Sequence, residues 1–138
     1  MNYLLDTCVL SEYRKPAPSA KVLAWVDEQA DDSLYISVLT IGELDKGICK
    51  MPPSNRKTNL AAFVDALIAR FDRRILDLDT ETLRRWGEMI ADLESKGRPM
   101  PVIDSLMAAT ALARGMTLVT RNEDDFIPAG IRVLNIWE

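Results

Sequence analysis

Leu34-Tyr35-Ile36-Ser37-Val38 is followed almost at once by Thr40-Ile41-Gly42-Glu43-Leu44-Asp45-Lys46-Gly47-Ile48-Cys49-Lys50. The first run is rich in residues that suit a pleated strand, and Thr40 is a residue type that opens helices. The stretch therefore reads as a strand feeding a helix that ends near Lys50. A strand that leads into a helix rather than a tight turn is half of a βαβ unit. Upstream, Tyr3-Leu4-Leu5 is a short apolar strand, followed by Asp6-Thr7 and a brief helix through Glu12. After the breaker Lys15-Pro16-Ala17-Pro18, Ser19 can cap a helix to about Gln29, with Val22, Leu23 and Val26 facing inward.

The same alternation continues downstream. Met51-Pro52-Pro53 closes one helix and Ser54 begins another, whose Leu60, Phe63, Val64, Leu67, Ile68 and Phe71 recur at helical spacing. Ile75-Leu76-Asp77-Leu78 is a third, weaker strand. Asp79 or Thr80 then caps a helix carrying Leu83, Trp86, Ile90 and Leu93, which Gly97 stops. A loop with Pro99 and Pro101 leads to Asp104, and Leu106 to Ala113 is a small-residue helix ending at Gly115. Thr117-Leu118-Val119 and Ile131-Arg132-Val133-Leu134 are the last strands. Strands alternating with helices predict an α/β fold with a parallel sheet covered on both faces. No repeat, low-complexity tract or linker divides the chain, so residues 1–138 are read as one domain.

Composition narrows the chemistry. Apolar residues make up 48% of 138 residues, enough for a packed core. No apolar run reaches the roughly 18 residues of a membrane span. The opening Met1-Asn2-Tyr3-Leu4-Leu5-Asp6 lacks the basic start of a signal peptide. Cys8 and Cys49 form no disulfide framework, and a cytoplasmic location is expected. The absence of histidine rules out Ser-His-Asp and Cys-His triads and His-ligated zinc. No glycine-rich phosphate loop is present. A net charge of −4 argues against indiscriminate polyanion binding, so any nucleic-acid contact must come from local basic patches. Carboxylates, hydroxyls and a hard metal ion are the remaining means of catalysis.

In an open parallel sheet, ligands bind beyond the carboxyl ends of the strands. Asp6 follows the first strand, and Glu43 comes shortly after the second. Asp104 starts the helix that leads to the fourth strand, which is followed by Thr120-Arg121-Asn122-Glu123-Asp124-Asp125. Each acid has a plainer reading. Thr40-Ile41-Gly42-Glu43 fits a capping box, and Asp6 and Asp104 suit helix N-termini. Together, however, three carboxylates at one edge repel one another unless something positive lies between them. An all-oxygen ligand set selects Mg²⁺ or Mn²⁺ over zinc.

Four segments then carry a resemblance. Leu4-Leu5-Asp6-Thr7-Cys8-Val9-Leu10-Ser11-Glu12 resembles the opening strand and turn of PIN-domain nucleases, and Ile36-Ser37-Val38-Leu39-Thr40-Ile41-Gly42-Glu43-Leu44 is similar to their second acidic motif. Pro101-Val102-Ile103-Asp104-Ser105-Leu106-Met107-Ala108-Ala109-Thr110-Ala111 matches the third. Val119-Thr120-Arg121-Asn122-Glu123-Asp124-Asp125-Phe126, with the ending Val133-Leu134-Asn135-Ile136-Trp137, completes the order. The pattern spans the chain and resembles VapC-type toxins of bacterial toxin–antitoxin pairs. It implies a three-layer α/β/α sandwich on a mostly parallel sheet of four or five strands. It also implies a Mg²⁺-dependent (or Mn²⁺-dependent) endoribonuclease that cuts structured RNA, tRNA prominent among such substrates, by in-line attack of an activated water. A cognate antitoxin and a homodimer are the implied partners.

Carried over residue by residue, the resemblance makes Asp6 and Asp104 the principal metal ligands, with Glu43 binding directly or through water. The fourth acidic position falls on Asn122, which supplies no charge; Asp125, or less directly Asp124, would compensate, and one ion or two are both open. Thr7 and Thr120 would offer hydroxyls to water or phosphate. Arg14, Lys15, Lys46, Lys50 and Arg121 are the candidate RNA contacts, and Trp25, Met51 and Pro52-Pro53 candidate partner surface.

Two rival enzymes fit less well. A receiver domain would want a lysine beyond its last strands, and none follows Lys96; a dehalogenase-like phosphatase would want Asp-x-Asp, but Asp6 precedes Thr7-Cys8. A non-catalytic binding module whose acids only cap helices is the alternative of another class.

Overall fold

The computed structural model describes all of residues 1–138. Its strands are β1 (Tyr3–Leu5), β2 (Leu34–Ser37), β3 (Ile75–Leu76), β4 (Thr117–Val119) and β5 (Val133–Leu134). They form one five-stranded sheet in the order β3-β2-β1-β4-β5, and every neighbouring pair is parallel. The helices are α1 (Thr7–Glu12), α2 (Ala20–Glu28), α3 (Val38–Cys49), α4 (Asn55–Arg70), α5 (Thr80–Ser95), α6 (Val102–Arg114) and α7 (Glu123–Phe126).

The strand period of two builds the layers, because successive side chains leave opposite faces of the sheet. Leu5 and Val119 join one core with Val9 of α1, Val22 and Val26 of α2, and Leu67 of α4. Their neighbours Leu4 and Leu118 join the other, with Met107, Ala108 and Ala111 of α6 and Phe126 of α7. Ala108, Ala109 and Ala111 are almost wholly buried, and their small size lets α6 lie close to the sheet. The product is the three-layer α/β/α sandwich that the alternation predicts.

The chain leaves β1 toward β2 and β3, then crosses back to add β4 on the other side of β1. The winding therefore reverses between β1 and β4, and a crevice opens at their carboxyl ends. Asp6 and Thr120 are the residues that immediately follow those two strands.

Several boundaries differ from the sequence expectation. Helix α3 starts at Val38 rather than Thr40, because the buried Ser37 hydroxyl accepts from the Leu39 N–H at 3.0 Å and so acts as the cap. Thr40 lies inside the helix, so the Thr40–Glu43 capping box does not form and Glu43 is released from that task. Helix α6 begins directly after Pro101, which places Asp104 in its first turn. At the sheet edges β3 and β5 keep only two residues each, and α7 is a short helix where the sequence pattern shows none. No helix is long and apolar enough to cross a membrane.

The end of the chain is tied to its beginning. The Trp137 indole N–H donates to Glu12 Oε1 at 2.7 Å, and Lys15 Nζ stands 3.2 Å from the same carboxylate, whose residue is only 2% exposed. The indole bond above all, with Lys15, outweighs burial and holds the Glu12 carboxyl below its usual range. A depressed carboxylate stabilises the fold above its unfolded pKa, and that contribution disappears as pH falls through the folded value. Glu12→Gln is therefore expected to lower stability at neutral pH by about 1–3 kcal/mol, the range for losing a charge-assisted bond. Urea unfolding should show this gap narrowing in acid.

Candidate active site

Asp6 leaves β1 with extended backbone and caps α1, its Oδ1 accepting from the Thr7 N–H at 2.8 Å. Its other oxygen, Oδ2, accepts from the Thr120 hydroxyl at 2.8 Å, while its own N–H donates to the Val119 carbonyl at 2.9 Å. The fully buried Thr120 Oγ1 also accepts from the Asn122 N–H at 3.1 Å. One carboxylate thus joins the ends of the two strands that flank the crevice.

Glu43 arrives from α3 and is exposed. The Thr7 hydroxyl donates to its Oε1 at 2.6 Å and lies 3.0 Å from the hydroxyl of the fully buried Thr40. Thr7 therefore touches both acids, offering its N–H to Asp6 and its O–H to Glu43. Asp104 reaches the same edge from the first turn of α6. That turn is held by the fully buried Ser105, whose hydroxyl accepts from the Trp86 indole at 2.9 Å and donates to the Val102 carbonyl at 2.6 Å.

Electrostatics show that these groups share one environment. Burial first, then the negative charges of Asp6, Asp125 and Glu43, push the Asp104 carboxyl above its usual range. Burial also raises Asp6, against the lowering bonds from Thr120, Thr7 and Cys8, and Asp125 raises it further. None of the protein's ion pairs involves Asp6, Glu43, Asp104 or Asp125. Burial and the neighbouring Asp6 raise the Cys8 thiol as well, which keeps it a neutral thiol and a poor nucleophile.

The acidic edge is flanked by two hollows of different character. On one side a polar cleft of about 410 Å³ is lined by Arg121, Asn122, Asp125 and Asn135 among others. On the other, Glu43 and Lys46 share a notch of about 380 Å³ with Val38, Leu39 and Ile103. Asn122 precedes α7 without capping it through its side chain. Asp125 lies near enough for its charge to raise both Asp6 and Asp104.

The basic residues separate. Arg121 is exposed and lies over the Trp137 ring, 5.8 Å from its centroid. Arg14 instead stands over Phe63 at 5.3 Å and lines an apolar groove between α1, α3 and α4, with Leu44, Ile48 and Met51. Lys15 pairs with Glu12. Thr7 and Thr120 are both engaged in orienting carboxylates.

The donor set suits a hard divalent cation. It is all oxygen, several acids converge, and no lysine or arginine neutralises them. No three acids form a ready-made ligand set; Glu43 is exposed and Asp104 part-buried, whereas Asp6 is held by its bonds to Thr7 and Thr120. Thr120→Val, close in shape, leaves the buried Asp6 with one donor fewer. It is expected to cost about 1–3 kcal/mol of stability, measurable by urea unfolding.

Sequence reasoning missed Thr40, Ser105 and the Glu12–Trp137 bond as supports of the site. Thr40 carried a signal, a hydroxyl three residues after Ser37, but it reads equally as a cap. The Trp86–Ser105 and Glu12–Trp137 contacts are tertiary and leave no local trace.

A parallel sheet of this order with acids at the β1/β4 switch defines a class, and a family comparison identifies it: the PIN-domain model matches residues 3–129, and the chain belongs to that family. Within it the chain has VapC-type relatives. It is 38% identical to the tRNA(fMet)-specific endonuclease VapC of Salmonella typhimurium, over 96% of each chain. It is also 38% identical to the plasmid stability protein StbB of Pseudomonas syringae, over 98% of each. Among solved structures, FitAcB from Neisseria gonorrhoeae superposes with a TM-score of 0.92 at 29% identity, covering 99% of each chain. DNA-bound VapBC from Salmonella typhimurium superposes at 0.82 and 29% identity, covering 99% of this chain and 98% of that one.

Proposed function

We propose that the chain is a VapC-type endoribonuclease toxin that hydrolyses a phosphodiester of structured RNA, tRNA above all, with Mg²⁺ or Mn²⁺ as its cofactor. The observation that carries this reading is the convergence of Asp6, Glu43 and Asp104 on the sheet's switch point, with Thr7 bonded to both Asp6 and Glu43 and none of the three acids in an ion pair. Asp6, Asp104 and Glu43 would hold the ion. Bound there, it would polarise a phosphoryl oxygen and acidify a water.

The chain's own residues do the rest. Thr7 and Thr120 fix the two oxygens of Asp6 in different directions, and Thr7 also steers Glu43. Asp125 is exposed beside the cluster and makes no ion pair, so it can accept a proton from the attacking water. With no histidine in the chain, the base would be a carboxylate or a hydroxide supplied by the bound metal. RNA would be drawn to this edge by the cations at its rim, Arg121 and Lys46.

The partners follow the same reading. A cognate antitoxin would cover the apolar groove beside Arg14, and the active form would be a homodimer. The tRNA preference rests on the likeness to the tRNA(fMet)-specific endonuclease of Salmonella typhimurium and is tested by incubating the purified chain with end-labelled total tRNA. Discrete fragments in Mg²⁺ that vanish in EDTA are expected. Intact tRNA and intact total RNA, from folded protein free of any partner, would favour a non-catalytic module.

A further inference from the structure

The polar cleft beside Asp125 contains one cation, and that cation rests on an aromatic ring. Arg121 lines the cleft together with four acids and two asparagines, and its guanidinium lies 5.8 Å from the centre of the Trp137 ring. It enters none of the protein's ion pairs, although the surrounding acids would attract it. The ring itself is fixed from two directions. Its N–H is held by the buried Glu12 carboxylate at 2.7 Å, and its backbone N–H donates to Asn135 Oδ1 at 2.9 Å. Glu12 is anchored in turn at the end of α1, the helix that Asp6 caps. A connected path of named bonds therefore runs from the acid cluster through α1 and Glu12 to the indole beneath Arg121.

We infer that this cleft is a subsite for the phosphate of a nucleotide next to the scissile bond, with Arg121 as its binding residue and Trp137 and Glu12 as positioning residues. The inference rests on the ribonuclease reading and extends it. An arginine among carboxylates is useful to a polyanion only if it is kept from collapsing onto them. A ring face does this while leaving the charge intact. A guanidinium placed over a ring also keeps edge donors for phosphate oxygens, in a fork that lysine cannot reproduce. Asn122 and Asn135 line the same cleft and can offer amide groups to a sugar or base.

The test compares wild type, Arg121→Ala, Trp137→Leu, the double variant and Trp137→Phe. Cleavage kinetics on total tRNA are measured first. Salt-dependent binding of a short mixed-sequence single-stranded RNA is then measured in an Asp104→Asn background, where cleavage does not interfere. Arg121→Ala is expected to raise KM roughly tenfold, the effect of about 1.4 kcal/mol of lost contact, with kcat little changed. Its slope of log affinity against log salt should fall by about 0.7, one single-strand phosphate contact. Trp137→Leu should show a smaller loss of the same kind, and the double variant should be no worse than Arg121→Ala alone. Trp137→Phe keeps a ring under the guanidinium, so it should keep most of the affinity while melting earlier.

An unchanged KM and salt slope in Arg121→Ala would overturn the subsite, even if Trp137→Leu failed to fold. Additive losses in the double variant, or a Trp137→Phe loss as large as that of Trp137→Leu, would overturn the positioning role. Failure of the ribonuclease reading would look different: the wild type itself would cut nothing, and RNA binding in the Asp104→Asn background would still report on the cleft.

Discussion

Asp104→Asn and Asp6→Asn are each expected to reduce RNA cleavage by at least ~10²-fold, the scale seen when one group that stabilises developing charge is removed. Asparagine keeps the shape and the hydrogen-bonding oxygen but removes the charge that attracts a cation. Neither change should disturb the fold. Asp104 sits part-buried in the first turn of α6, and at Asp6 an asparagine Oδ1 can still accept from the Thr7 N–H to cap α1 while its amide NH2 donates to the Thr120 hydroxyl oxygen. Circular dichroism and a cooperative melt, taken beside the cleavage rates, check both halves. An unfolded Asp104→Asn protein would mean that the acid is structural.

The second large effect is a reversal of stability with metal. Burial and three neighbouring carboxylates push Asp104 upward, so the folded state penalises its ionised form. A carboxyl raised on folding contributes stability that is full below its unfolded pKa, near 3.8, and is lost as pH rises through the folded value. At neutral pH in EDTA, Asp104→Asn should therefore melt above the wild type, and the two should converge in acid. With Mg²⁺ at about 100 times its Kd, mass action stabilises the wild type by about 2.7 kcal/mol. For a domain of this size that corresponds to roughly 10 °C in Tm. Asp104→Asn should gain far less, so the order of the two melting temperatures reverses. Equal gains in both proteins would place the cation elsewhere.

The sequence was most informative where one residue type has one physical use. The alternating strands and helices settle the parallel sheet, because parallel neighbours need crossovers and the apolar runs leave no other partner. The absence of histidine and the acids at strand ends confine the expected chemistry to carboxylates, hydroxyls and a hard metal ion. Glu43 was harder. As the last member of Thr40-Ile41-Gly42-Glu43 it looked like a capping residue. The earlier helix start at Val38, capped by Ser37, dissolves that reading and leaves Glu43 to accept from Thr7.

Other features were invisible for a physical reason. Trp137 lies 125 positions from Glu12, and Trp86 lies 19 from Ser105, so their bonds exist only after the layers pack. Arg14 and Arg121 look alike in sequence, each following an acidic motif. Packing on Phe63 takes Arg14 to an apolar groove, whereas packing on Trp137 keeps Arg121 in the cleft beside the acids. Asn122 and Asp125 could not be ranked from their order alone. The short α7 brings Asp125 within electrostatic reach of Asp6 and Asp104, a placement that only the packed structure supplies.

The most direct measurement is anomalous diffraction from crystals of the wild type and of Asp104→Asn grown with Mn²⁺. A manganese peak bounded by Asp6, Asp104 and Glu43 in the wild type, and lost or strongly weakened in Asp104→Asn, is the predicted result. Manganese found only away from the ends of β1 and β4, or unchanged in the variant, would contradict a metal-dependent nuclease centre at this edge.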